Sequence, residues 1–232
     1  MTTCRPASRC PRPPQRRAPR RPSGCSRRSA PPPTRSPSSP PGRSSNIAAL
    51  VAADPAVTDA VRRLVVLGGA YRQRGVTPHA ERNVWCDPEA AHDVFTGAFR
   101  EILLITMDAT FSAPLTGVDV TRLRSTGTPA AQTAADLLEE RIAWYRRDEA
   151  MLALNAAPLH DPLAVACLVD PGVVDVRRTA VTVERTDPVT YGATRFAFSP
   201  DSCAGSVVSV ALRAHRDRYV DLLVRTLGDS AR

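Results

Sequence analysis

Residues 64–69, Leu64-Val65-Val66-Leu67-Gly68-Gly69, decide the architecture. Four apolar residues run without a polar interruption into two glycines. A strand that is apolar on both faces must be covered on both, which is the habit of parallel sheets flanked by helices. The glycines mark its carboxyl end, where the chain needs backbone conformations that other residues resist.

The same logic extends outward. Glu101 to Met107 (EILLITM) reads as a second buried strand. Between the two, Asp87-Pro88 opens a helix through about Phe99, with Asp87 as N-cap and Pro88 at the first helical position. Upstream, Ile47 to Ala53 and Val57 to Arg63 read as short helices. Downstream, Pro114 to Arg124 and Pro129 to about Ala150 read as helices, the second long and amphipathic, and Asp161-Pro162 opens another to about Leu168. Val173 to Glu184, Ala193 to Phe198 and Val207 to Leu212 have strand character, and Arg216 to Leu227 closes the chain as a helix. Strands alternating with helices predict an α/β fold of three layers around a mostly parallel sheet.

The chain has 232 residues and a net charge of +8. That charge is not spread evenly. Residues 1–45 hold eleven Arg, twelve Pro and no Asp or Glu, which leaves −3 for the rest of the chain. Such a segment cannot bury enough apolar surface to order itself, so a disordered tail is expected over 1–45 and one domain over 46–232. Nucleic-acid binding through the tail is disfavoured, because no aromatic side chains interleave its arginines and the body is acidic. Cys86, Cys167 and Cys203 are scattered without CxxC spacing, so no zinc site is expected, and reduced thiols suit the cytoplasm. No apolar run is long enough to span a membrane, and no apolar segment near the start resembles a secretory signal.

Three segments then carry a resemblance. Residues 64–88 read LVVLGGAYRQRGVTPHAERNVWCDP, residues 107–110 read Met-Asp-Ala-Thr, and residues 159–166 read Leu-His-Asp-Pro-Leu-Ala-Val-Ala. In this order and context they resemble the inosine–uridine-preferring nucleoside hydrolases, over roughly residues 42 to 232. The resemblance implies cleavage of the N-glycosidic bond of a ribonucleoside to free base and ribose, with a Ca2+ ion at the carboxyl ends of the strands. By motif position it implies His160 beside the leaving base as a proton donor. It implies Glu81 and Asn83 as ribose contacts, Leu67 as a pocket residue and Asp161 as a metal ligand, with the Ser45 carbonyl as a second ligand. It also implies a ribonucleoside partner and a dimer or tetramer.

These residue types suit that chemistry. Calcium takes several hard oxygens. An oxocarbenium-like transition state gains from nearby carboxylates and an activated water. A departing base needs a proton or another stabiliser, which a histidine titrating near neutrality can supply. Plainer readings stand beside each. Asp161 before Pro162 is a complete helix N-cap, Leu67 is an ordinary core residue, Glu81 and Asn83 suit a turn, and Asp108 and Thr110 suit a cap.

The sequence also departs from the family. The Asp-x-Asp-x-x-x-Asp-Asp motif that supplies the general base and most metal ligands there is absent, and Arg74-Gly75 replaces a Gly-Asn pair. The sheet is therefore expected to be incomplete on its N-terminal side, and calcium binding is expected to be weak. A GC-rich gene for Val-Thr-Leu-Val-Pro-Ala-Gly-Pro-Leu, read one nucleotide late, spells Ser36 to Ser44 as it stands here. Residues 1 to about 44 thus read as an out-of-frame translation. A catalytically inactive truncated remnant is the alternative to an active hydrolase.

Overall fold

The computed structural model describes residues 43–198 and 206–229. The tail expected over 1–45 lies outside these residues except for its last three, which form the first turn of helix α1 (Arg43–Ala53). After the short helix α2 (Val57–Ala60) come strand β1 (Leu64–Leu67), helices α3 (Arg82–Cys86) and α4 (Pro88–Thr96), and strand β2 (Ile102–Ile105). Helix α5 (Met107–Phe111), strand β3 (Leu115–Thr116), and helices α6 (Gly117–Ser125), α7 (Pro129–Tyr145) and α8 (Glu149–Leu154) follow. Strand β4 (Ala156–Ala157) leads to helix α9 (His160–Val169), strands β5 (Val174–Val183), β6 (Thr194–Ala197) and β7 (Ser206–Ala214), and helix α10 (Arg216–Gly228).

The main sheet has the order β1-β2-β7-β5-β6. β1 pairs with β2 and β2 with β7 in parallel, from Leu64 opposite Ile102 to Leu67 opposite Ile105. β5 pairs antiparallel with both β7 and β6. The α/β class and three layers hold, while the described sheet is mixed rather than mostly parallel. The reason is local. β5 and β6 are joined by about ten residues with no helix between them, and so short a link permits only an antiparallel return.

Each face of the sheet buries its own core. On one, α4 packs Ala91, Val94 and Phe95 against Leu104, Val181 and Val210. On the other, α6, α7, α9 and α10 surround Leu103, Ile105 and Ala211. α7 shows why its period is 3.6. Ala131, Ala135, Leu138, Ile142 and Tyr145 are all buried, one per turn.

Caps account for most helix starts. Asp87 accepts from Ala90 N–H, as expected, and Pro88 follows. Thr106, fully buried at the end of β2, accepts from Ala109 N–H and starts α5, so the strand stops at Ile105 rather than Met107. A cap of this kind contributes about 1 kcal/mol. Asp148 starts α8, which divides the long helix expected to run to Ala150. α9 begins two residues earlier than a cap at Asp161 implies. Its N-cap is Leu159, so Asp161 sits inside the first turn rather than at the cap position.

The turn after β1 is held from two sides. Gly69 has φ +72°, and a side chain there would meet the Thr194 side chain at 3.0 Å. The Thr194 hydroxyl accepts from Ala70 N–H and donates to Ala70 C=O, both at 3.0 Å, across 124 positions of chain.

Candidate active site

Because β1 and β2 run parallel, the loops leaving Leu67 and Ile105 emerge at the same end of the sheet, where α/β folds place their ligands. α7 and the start of α9 close in on these loops. Together they enclose a cleft of about 500 Å³, large enough for a nucleoside. Its floor is Leu67, Gly68 and Met107. One side carries Glu81, Arg82 and Asn83, and another Arg141, Trp144, Tyr145 and His160, with Asp161 at the margin and Gly75 and Val76 from the loop above.

The β1–α3 loop is shaped by carboxylates. Glu81 is 7% exposed, and its two oxygens accept backbone N–H bonds from Gly69, Asn83 and Val84. Burial raises its pKa, and those three bonds oppose the rise. Asn83 donates through Nδ2 to Leu67 C=O at 3.0 Å. Asp108, from α5, accepts from three successive N–H groups at Tyr71, Arg72 and Gln73. Glu81 and Asp108 therefore fix the loop that hangs over the cleft.

The wall from α7 and α9 centres on His160. Thr110 donates its hydroxyl proton to Met107 C=O at 2.9 Å, so it accepts from His160 Nδ1 at 2.8 Å. His160 is then protonated on Nδ1, and Nε2 accepts the phenol proton of Tyr145 at 3.1 Å. Burial, and then the nearby Arg141 charge, hold the His160 pKa down to about 4, against the pull of Asp161. Burial likewise raises the Tyr145 phenol. Arg141 lies over the Tyr145 and Trp144 rings, at 5.0 and 5.4 Å from their centres. Phe111 sits edge-on to Tyr145 and tilted against His160.

The family model for the inosine-uridine preferring nucleoside hydrolases matches residues 40–221. The chain belongs to that family. A pyrimidine-specific ribonucleoside hydrolase RihA of Shewanella oneidensis is 32% identical over 183 residues, or 79% of this chain and 57% of its own. An inosine-uridine preferring nucleoside hydrolase of Leishmania major is 31% identical over 186 residues, again 79% and 57%. Among solved structures, a plant nucleoside hydrolase superposes with a TM-score of 0.71 at 30% identity, over 81% of this chain and 60% of that one. A purine-preferring ribonucleoside hydrolase from Gardnerella vaginalis gives 0.70 at 28%, over 82% and 59%. The chain thus spans under two thirds of the length of these nucleoside hydrolases.

Five of the six residues singled out for a nucleoside hydrolase site line one cleft: Leu67, Glu81, Asn83, His160 and Asp161. Ser45 does not. It lies in the first turn of α1, and its hydroxyl donates to Asp87. Arg141, Trp144 and Tyr145 were not singled out. Their signal in the sequence is an aromatic pair with an arginine one turn earlier, in a chain that is only 5% aromatic.

The described residues do not assemble a calcium site. No group of three His, Cys, Asp or Glu side chains among them is placed to hold a metal ion. Calcium needs six to eight oxygens. In the cleft, Glu81 spends both of its oxygens on backbone N–H groups, and Asp161 is the other carboxylate among the lining residues.

Proposed function

We propose that this cleft binds a ribonucleoside and that the protein hydrolyses its N-glycosidic bond, giving free base and ribose. The observation that carries the reading is the shared cleft. Family motif residues from the β1 loop and from α9 meet there beside a hydrogen-bonded Tyr145–His160–Thr110 chain. Glu81 and Asn83 shape the ribose end, mainly by holding the Gly68–Gly69 turn. His160 belongs to the leaving-base end. In its neutral form its proton points at Thr110, and it orients the Tyr145 phenol by accepting from it. A proton-donor role for His160 needs a second proton on Nε2, which burial and Arg141 oppose.

A calcium ion at Asp161 would need oxygen ligands from outside the described residues, and no step is assigned to it. The products suit base salvage. The free thiols Cys86 and Cys167 suit a reducing cytoplasm, and no helix among the described residues is long and apolar enough to cross a membrane. The exposed Val165, Leu168 and Val169 on α9 support a homo-oligomer.

The test is ribose release from inosine, uridine, cytidine and adenosine, with and without calcium, by wild type and His160→Ala. Release by the wild type that falls by roughly 100-fold or more in the variant supports the reading. Absence of both ribose release and nucleoside binding overturns it in favour of a remnant.

A further inference from the structure

Arg141 has chemistry that the fold does not use. Its guanidinium is half-buried and lines the cleft. It has no carboxylate partner among the described residues, unlike Arg124, Arg216 and Arg218, which all do. Its stacking on Trp144 and Tyr145 and its donation to the Tyr145 hydroxyl fix its plane, and its remaining N–H groups are left for a ligand. A flat, edge-on guanidinium suits two adjacent acceptor atoms in one plane.

The charge of the cleft narrows the ligand. Arg82 and Arg141 are matched there by Glu81 and Asp161, so the lining is close to neutral and does not select an anion. A neutral, planar group with a carbonyl beside a ring nitrogen fits better. Hypoxanthine offers that edge through O6 and N7, as guanine does to guanidinium in nucleic acids, and uracil offers carbonyl oxygens that accept singly beside its N3–H donor.

We propose that Arg141 is the base-reading residue of the cleft, donating to the carbonyl edge of a keto nucleobase such as uracil or hypoxanthine and rejecting adenine, which has no carbonyl. The inference rests on the nucleoside reading above. It also gives Arg141 a part in the reaction. As the bond from ribose C1′ to the base nitrogen breaks, its electron pair passes to the base and spreads onto the carbonyl oxygen. The guanidinium meets that charge without giving up a proton. Water supplies hydroxide to C1′ and its remaining proton to the base, so the products are ribose and neutral base.

The experiment measures dissociation constants of uridine, inosine and adenosine by calorimetry, using the full chain as wild type, Arg141→Met and Arg141→Lys. Arg141 lies outside the core, so both variants should melt within about 2 °C of wild type. The expected result is a ~10-fold preference for uridine and inosine over adenosine. In Arg141→Met this preference disappears through weaker uridine and inosine binding, and Arg141→Lys restores only part of it. Nucleoside binding without that preference, or with a preference that survives in Arg141→Met, overturns the proposal and leaves the nucleoside reading standing. No binding of any nucleoside overturns both.

Discussion

The α7–α9 wall of the cleft and the flank around Ser45 and Asp161 are built in opposite ways. On the wall, His160, Tyr145, Thr110 and Arg141 hold one another by hydrogen bonds and ring contacts, above a core that buries Leu138 and Leu163 completely. On the flank, Ser45 is wound into α1, and Asp161 is an exposed carboxylate in the first turn of α9. Under the proposed function, the difference teaches that recognition of a base and activation of a water have separate structural sources. The wall draws on residues 107–160, which form one continuous stretch of packed chain. A metal needs carboxylates brought together from several strand ends, and the described residues bring one.

The contrast can be broken first at its foundation. Leu138→Ala should cost about 3 kcal/mol, because it opens a cavity directly beneath Tyr145 and Ile142. Urea unfolding checks the loss. A cost under about 1 kcal/mol would mean that the wall is not anchored by the core.

Acid is the next probe. His160 is held near pKa 4 in the fold, below the unfolded value of about 6.5. The unfolded chain therefore takes up this proton more readily than the folded one. The contribution is fully present above about pH 6.5 and is lost as the pH falls toward 4, by ~3 kcal/mol in all. Unfolding free energies at several pH values should show this slope in wild type and lose it in His160→Gln.

Glu81→Gln should cost about 2 kcal/mol, because an amide has one acceptor oxygen for three backbone N–H donors. Hydrogen exchange at Gly69 and Val84 should accelerate. Unchanged exchange would return Glu81 from loop brace to substrate contact alone. Asp161→Asn is the smallest change. Removing an exposed carboxylate near a helix start should cost ~0.5 kcal/mol, read as a shift in melting temperature. A much larger loss would show that the flank is as tightly built as the wall.

How much of this was legible depends on the range of the interaction. β1 and β2 could be read because LVVL and ILLI are apolar on both faces, and Asp87-Pro88 because a cap and its proline are adjacent. α5 was hidden. Met107 continues the apolar run of β2, and only the Thr106 hydroxyl, turned back onto Ala109 N–H, ends the strand. The break between α7 and α8 was hidden too, because the periodicity of α7 passes through Arg146 and Arg147 unchanged. Motif spacing revealed His160, Glu81 and Asn83 as cleft residues. It could not reveal Arg141 and Tyr145, whose meaning comes from the end of α7 meeting His160 at the cleft and not from any neighbour in sequence.

The Thr194 clasp on Ala70 has a consequence for how this chain can drift. A side chain added at Gly69 collides with Thr194, while Thr194 changed to valine strips both polar groups of Ala70 of their partner. Neither position can move first without penalty. Positions 69 and 194 are thus locked as a pair across more than half the chain, and lineages that change one should be those that have already reshaped the turn.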